Sequence, residues 1–426
     1  MSMVISSRFQ RLAKEGGWVV AGQVATIVGS LALVRVLTEY LTPVQYGQLA
    51  LGLTVAALVN QVVMGGIGSS ISRFYSIAVE KKNAHQYLKD CFILMLYGTL
   101  AAIFIGLFIL LGLQLAGYAK WIILAGTVLI LSLLEAYSDA LNRIQNAARH
   151  RAIAAIHGGA VPWVKIFFSL SAMFWLGRSS EVVVFGYVLS MLIVFVSQSF
   201  FIRKEILVKV CDSNEKISLI RNMTTYLWPF SIWGGFTWLQ QVSDRWALNA
   251  LVSTKDVGLY AVAFQLSYSP ILLLGGVTTT FLAPILYQRS GDAENLDRNN
   301  YVHHLVWKVA GLGLLLTIAV FIITSLFHES IFSFFVGETY RKSSWMMPWM
   351  VLAAGVFVSG QMIGLKLQSE LRSSMLIRPK VGCGILAIIL NFVLVYFFHI
   401  SGAIGALLLV ALIYFVWIGV LGRNRL

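Results

Sequence analysis

Charge is the scarcest ingredient of this 426-residue sequence. Only 12% of its residues are Asp, Glu, Lys or Arg, about half the ~25% usual in a soluble domain. Acidic residues number 18 against 32 Lys and Arg. This scarcity excludes a disordered chain, which needs many charges and little apolar content. Cysteine is also rare. Cys91, Cys211 and Cys383 lie far apart with no paired spacing, which excludes a disulfide scaffold and a zinc site. No GxxxxGK[ST] loop and no HExxH pair occurs, so the chain carries no visible ATPase or zinc hydrolase centre. What is present is apolar: 58% hydrophobic residues, 13% aromatic, with 36 glycines. The mean hydropathy of +0.80 is too high for a soluble globule. Glycine and aromatic enrichment fit membrane helices and their interfacial belts.

A spanning helix needs about 20 mostly apolar residues. Twelve segments qualify, near 18–37, 48–71, 91–113, 119–140, 157–177, 182–202, 223–243, 257–282, 303–326, 345–365, 381–398 and 402–421. The seventh is the least apolar, with Pro229, Gln240 and Gln241. The expected fold is an all-α polytopic membrane protein of twelve transmembrane helices. Its expected organisation is a basic cytoplasmic segment at 1–17, a six-helix bundle at 18–210, a cytoplasmic linker at 211–222 and a second bundle at 223–426. No cleavable signal peptide is evident. Every loop is short, which leaves no room for a sizeable soluble domain.

The cations are distributed unevenly. With both termini cytoplasmic, the inner stretches hold 23 Lys and Arg and the outer ones 6. Arg35, Lys165 and Lys308 fall inside segments. That is a strong positive-inside bias. It points to an inner, energised membrane and explains the net charge of +14 without nucleic-acid binding.

The chain also repeats itself. RVLTEYLTPVQYGQLALGLTVAALVNQVVMGG from Arg35 parallels RWALNALVSTKDVGLYAVAFQLSYSPILLLGG from Arg245. Arg35 and Arg245 are offset by 210, as are Gly65–Gly66 and Gly275–Gly276; Gly47 and Gly258 are offset by 211. Six helices per half is an even number, so the halves are parallel repeats about an axis along the membrane normal. Two such bundles face a central cavity and provide a route to alternating access.

Ions within apolar segments need water or a partner. Arg35 is either a snorkelling anchor or a cavity cation, and Arg245 has the same two readings beside its neighbour Asp244. Lys165, eight residues into the fifth segment, is a cavity-facing ammonium or a snorkelling one. Lys308, near the start of the ninth, reads first as an anchor. Glu135 and Asp139 share an i,i+4 face where like charges disfavour each other. They form a proton relay, or they pair with Lys165 or with the basic 143–151 stretch. Asp244 is a third candidate for ion or proton coupling. Asn60, Gln198, Gln240, Gln241 and Asn391 are amides inside apolar segments, suited to sugar hydroxyls or to interhelical bonding. Pro270, near the middle of the eighth segment, is a candidate hinge or a structural kink.

The stretches RVLTEYLTPVQYGQLALG, NQVVMGGIGSSISRFYS and DRWALNALVSTKDVGLYAVAFQL resemble bacterial polysaccharide repeat-unit flippases of the O-antigen type. These belong to the multidrug/oligosaccharidyl-lipid/polysaccharide exporter superfamily. The resemblance implies a V-shaped pair of six-helix bundles and a transporter, not an enzyme. It implies a substrate of undecaprenyl-pyrophosphate-linked oligosaccharide, moved from the cytoplasmic to the periplasmic leaflet for O-antigen or related surface polysaccharide. It implies membrane lipids, a polysaccharide polymerase and a chain-length regulator as partners. It also implies no cofactor, with coupling to a proton or cation gradient. By position and charge, Arg35, Lys165 and Arg245 are the nearest matches to the family's cationic cavity residues, with Lys308 a further candidate. Two other readings stay open: a multidrug cation antiporter of the same superfamily, which Glu135 and Asp139 would suit, and a membrane polysaccharide polymerase or ligase.

Overall fold

The structure, a computed structural model, describes residues 2–205, 218–290, 296–370 and 372–423. Among them all regular structure is helical, as hydrocarbon demands of a chain whose backbone groups must pair internally. The helices are α1 (Ser2–Tyr40), α2 (Pro43–Leu58), α3 (Gly65–Glu80), α4 (Ala84–Leu115), α5 (Ile122–Ala147) and α6 (Arg151–Leu176). They continue with α7 (Ser180–Glu205), α8 (Ile220–Leu251), α9 (Thr254–Ser290), α10 (Leu296–Phe335), α11 (Met346–Ser369) and α12 (Ile377–Arg423). A π-helical turn, Val59–Met64, fuses α2 to α3, so these make a single stretch.

Ten of these stretches are long and apolar enough to cross a membrane. α8 is not among them because of its Pro, Gln and charged residues, but its 32 residues exceed the length of a crossing. The last of the ten, Ser374–Arg423, is broken at His399, whose φ of 53° and ψ of −131° are non-helical. Each side of the break is long enough to cross. Twelve membrane-length segments result, as expected. α1 begins at Ser2, so the basic segment at 1–17 is continuous with the first membrane-length helix. The short apolar stretch at 330–335 is the end of α10. Most of the expected linker at 211–222, with Cys211, lies outside the described residues.

Local sequence sets the boundaries. Thr42 and Gln45 form a capping box at α2: Thr42 N donates to Gln45 Oε1 at 2.9 Å and Gln45 N to Thr42 Oγ1 at 3.4 Å. Pro43 takes the first helical position, where no N–H is missed. Asp90 of α4 is wholly buried. It caps α8 from across the bundle, accepting Leu219 N at 2.6 Å and Gln86 Nε2 at 2.9 Å. A carboxylate there meets the free N–H groups and the positive end of the helix dipole.

The helices form two compact units that interleave along the chain. The first comprises Met1–Leu33 and Leu51–Trp238, the second Val34–Ala50 and Leu239–Leu426. The first packs around Ile71, Tyr87, Leu94, Ile144 and Met223. Tyr87 donates its hydroxyl to Ile71 O at 2.6 Å. The second packs around Leu286, Val306, Ile363, Cys383 and Tyr414, with α11 the most buried helix.

Within the second unit, the sequence repeat is visible as a contact. A Cβ on Gly47 would overlap the Thr254 carbonyl, and one on Gly258 would overlap the Pro43 carbonyl. Pro43 and Thr254 are offset by 211, as are Gly47 and Gly258. The contact is therefore reciprocal: each glycine meets the repeat-mate of the residue that its own repeat-mate meets. Such self-complementarity is the mark of a two-fold relation. Gly47→Val and Gly258→Val should each destabilise the protein by about 1–3 kcal/mol, the usual cost of overpacking. Gly276→Ala, whose Cβ meets open space, should melt as the native protein does. Thermal unfolding in detergent measures all three.

Candidate functional site: paired charges within the helix units

In the first unit, Lys165 lies one turn after Pro162 in α6. Pro162 lacks the N–H that would bond the Gly158 carbonyl. Thr26 Oγ1 of α1 approaches that carbonyl at 3.3 Å, sharing its proton with Gly22 O of its own helix at 2.8 Å. Lys165 Nζ pairs with Glu135 Oε1 of α5 at 2.8 Å and lies 4.8 Å from the centre of the Tyr187 ring of α7. The π turn brings Asn60 to the same carboxylate, its Nδ2 donating to Glu135 Oε2 at 3.2 Å. π turns inside α-helices frequently mark functional sites. Asn60 Oδ1 is buried and accepts no hydrogen bond. The lysine and glutamate side chains are 16% and 26% exposed, so the pair is shielded yet reachable.

Asp139 takes no part in this cluster. It accepts Arg143 Nε at 2.6 Å one turn along α5, with both side chains well exposed. The like-charge conflict expected between Glu135 and Asp139 is thereby relieved, because each carboxylate has its own cation.

In the second unit, α8 carries Ser243, Asp244 and Arg245. Asp244 is 3% exposed. It accepts Tyr260 Oη at 2.7 Å and Arg245 N at 2.7 Å. The Arg245 guanidinium stacks 5.0 Å from the Phe264 ring, and its Nε is buried without a hydrogen bond. Asn391 of α12 donates to Ser243 Oγ at 2.8 Å, leaving its own Oδ1 buried and unbonded.

Arg35 has a different setting from its repeat-mate. It donates to Val336 O and pairs with Glu39 at 3.2 Å. It thus binds a carbonyl just past the end of α10, where helix carbonyls lack partners and the dipole favours a cation. Around it, Gly337 N donates to Thr38 Oγ1 at 3.0 Å and Tyr340 Oη to Leu41 O at 2.9 Å. Lys308 is exposed on α10. Pro270 lies inside an unbroken α9. Among the described residues, no three His, Cys, Asp or Glu side chains converge as a metal site would require.

The sequence analysis does not single out Lys366, which belongs to a buried ion pair. Lys366 lies in α11 at 3% exposure, 3.3 Å from Glu370 Oε1 and donating to Gly422 O at 2.8 Å. Arg372 approaches the other carboxylate oxygen at 3.7 Å. The i,i+4 spacing of Lys366 and Glu370 was the available signal.

The fold is similar to that of solved transporters described as MATE or MOP superfamily members. An outward-facing multidrug resistance MATE family transporter superposes with a TM-score of 0.61 at 13% identity, covering 96% of this chain and 95% of that one. A Vibrio cholerae MATE transporter gives 0.64 at 14%, over 98% and 97%. A MOP superfamily transporter from Pyrococcus furiosus gives 0.62 at 13%, over 96% of both. At such identities the likeness is one of fold. No curated protein sequence matches. The profile of the family described as "Polysaccharide biosynthesis protein" matches residues 12–290, and the chain belongs to that family.

The Lys165–Glu135 contact makes a double-mutant cycle informative. Lys165→Met and Glu135→Gln should each cost about 1–2 kcal/mol, less than the loss for a fully buried pair because both ends are partly exposed. The combined variant should recover about 1 kcal/mol of the summed losses, as residues in contact couple by that order. Additive shifts in thermal unfolding would mean the pair is not formed.

Proposed function

We propose that this protein carries an undecaprenyl-pyrophosphate-linked oligosaccharide, unchanged, from the cytoplasmic to the periplasmic leaflet of a bacterial inner membrane. The observation that carries the reading is the family match over 12–290, in a chain whose helices hold a reachable lysine paired with a carboxylate. A pyrophosphate with several sugars is too polar to cross hydrocarbon unaided. The polyprenyl tail has no such barrier and stays in lipid. The protein's task is to lower the headgroup's cost, with no bond made or broken.

The pairing of Lys165 suggests how. At rest Glu135 neutralises it, so the cluster has no net charge to trap a pyrophosphate. An arriving anion competes with Glu135 for the ammonium. A proton on Glu135 removes the competitor and frees Lys165. Binding and release then differ between protonation states, which is what a transport cycle requires of its site. Asp244 beside Arg245 offers a second carboxylate of this kind. The lysine head, strongly hydrated and flexibly mounted, suits transient contact.

A second reading has a specific observation in its favour. The superposed relatives named above include multidrug resistance transporters, and carboxylates such as Glu135 and Asp244 would suit a cationic drug. Changed drug susceptibility on expression, with no effect on surface polysaccharide, would favour that reading. A polymerase or ligase would instead return a covalent product from lipid-linked sugar.

The test of the main reading is leaflet-resolved translocation of lipid-linked oligosaccharide in vesicles, normalised to folded protein. Lys165→Ala should slow it about tenfold, the weight of one charge-assisted hydrogen bond. Lys165→Arg should retain more activity, and Lys165→Glu should be slower than alanine. Equal rates for the alanine, glutamate and native proteins would remove Lys165 from the mechanism.

The orientation proposed here, with both termini cytoplasmic, follows from the 23-to-6 split of basic residues. A single cysteine at Ser179, in a cysteine-free background, should react with an impermeant reagent from outside. One at Ser218 should react only after permeabilisation. The reverse pattern would invert the topology.

A further inference from the structure

The turn joining α10 to α11 borders an open cleft of about 620 Å³ within the second unit. Its walls come from the last turns of α10, a 3-10 turn at Glu338–Ser343 and the residues leading into α11. The turn is held from beneath. Tyr340 is fully buried and donates to Leu41 O, Gly337 N is bonded to Thr38, and Arg35 grips Val336 O. His328 Nδ1 and Ser344 Oγ, 3.0 Å apart, tie the α10 wall to the far side. The cavity is therefore preformed, as small-molecule sites usually are.

Its lining is unlike a patch of lipid-facing surface. Arg341 and Lys342 put two adjacent cations on one wall, and both are exposed. Trp345 is 38% exposed and offers a ring face. Glu329 contributes a carboxylate to the same cavity. Cations alone would suit a phosphate, but Glu329 repels one. A sugar ring uses all four groups: its CH face lies on the indole, its hydroxyls donate to Glu329, and a carboxylate on the ring takes the paired cations.

We propose that this cavity binds a saccharide bearing a carboxylate, a site separate from the Lys165–Glu135 cluster. In the orientation proposed above it opens on the periplasmic side, where it would hold part of the glycan after the headgroup has crossed. The proposal rests on the reading that the chain handles saccharides, but its binding test needs no transport.

The test is titration of the purified full-length protein with trigalacturonate, read by tryptophan fluorescence and by calorimetry. Trigalacturonate should bind, and neutral maltotriose and inorganic phosphate should bind at least about tenfold more weakly, since each lacks one half of the recognition. Arg341→Gln/Lys342→Gln should weaken trigalacturonate about tenfold or more, and Trp345→Ala should weaken it while calorimetry still reports folded protein. Lys165→Ala should leave this binding as in the native protein. The proposal fails if trigalacturonate does not bind, if maltotriose or phosphate binds equally well, or if the arginine and lysine substitutions have no effect. If trigalacturonate binds through Arg341 and Lys342 while vesicles show no lipid-linked translocation, the cavity stands and the transport reading falls.

Discussion

An ion inside a membrane-spanning helix has to be matched, because hydrocarbon offers it neither water nor counter-ions. This constraint accounts for the partners that several cations of both units have. Lys165 has Glu135, Arg143 has Asp139 and Lys366 has Glu370. Arg35 has Glu39 and a helix-end carbonyl, and Arg245 lies beside Asp244 over an aromatic ring. The result is a set of locally neutral pairs, not the open cationic surface that the positions of these residues along the chain first suggest. Matching is also what makes a transport site reversible. An unpaired buried lysine would hold a pyrophosphate too well, whereas a lysine whose carboxylate competes with the substrate can let it go.

The second constraint is the backbone's own. Every helix break must be paid for with a replacement hydrogen bond, and the replacements here come from neighbouring helices. Thr26 approaches the carbonyl freed by Pro162, Asp90 accepts the Leu219 amide just before α8, and Arg35 serves the end of α10. These links are where polar residues in an apolar sequence find structural work. They separate the polar side chains that hold the fold from those, such as Asn60 and Glu135, that retain unused hydrogen-bonding capacity or exposure.

Much of this was legible in the sequence. Twelve segments follow from apolar run lengths, including the pair on either side of His399, since hydropathy reports solvent preference directly. The glycine spacing that suggested a repeat reappears as the reciprocal Gly47–Gly258 contact. The pairing of Lys165 with Glu135 was among the readings available, beside a proton relay and a pairing with the basic 143–151 stretch. What stayed hidden depends on register. The π turn at Val59–Met64 leaves no compositional mark, yet it turns Asn60 toward Glu135. Arg35 and Arg245 look equivalent as repeat-mates, but their surroundings come from different neighbours, one a helix end and the other Phe264. Lys366 goes unnoticed in the sequence because α11 runs further than its apolar core. The cavity at the α10–α11 turn gathers residues that, in linear order, read as an ordinary polar loop.

The central point of the proposal is that an anionic headgroup and Glu135 compete for Lys165. The direct measurement is titration of the purified protein with undecaprenyl pyrophosphate, for the native protein, Glu135→Gln and Lys165→Met. The account predicts binding about tenfold tighter in the glutamine variant, which has lost the competing carboxylate, and about tenfold weaker in the methionine variant. Equal affinities in the three proteins, each folded, would contradict it.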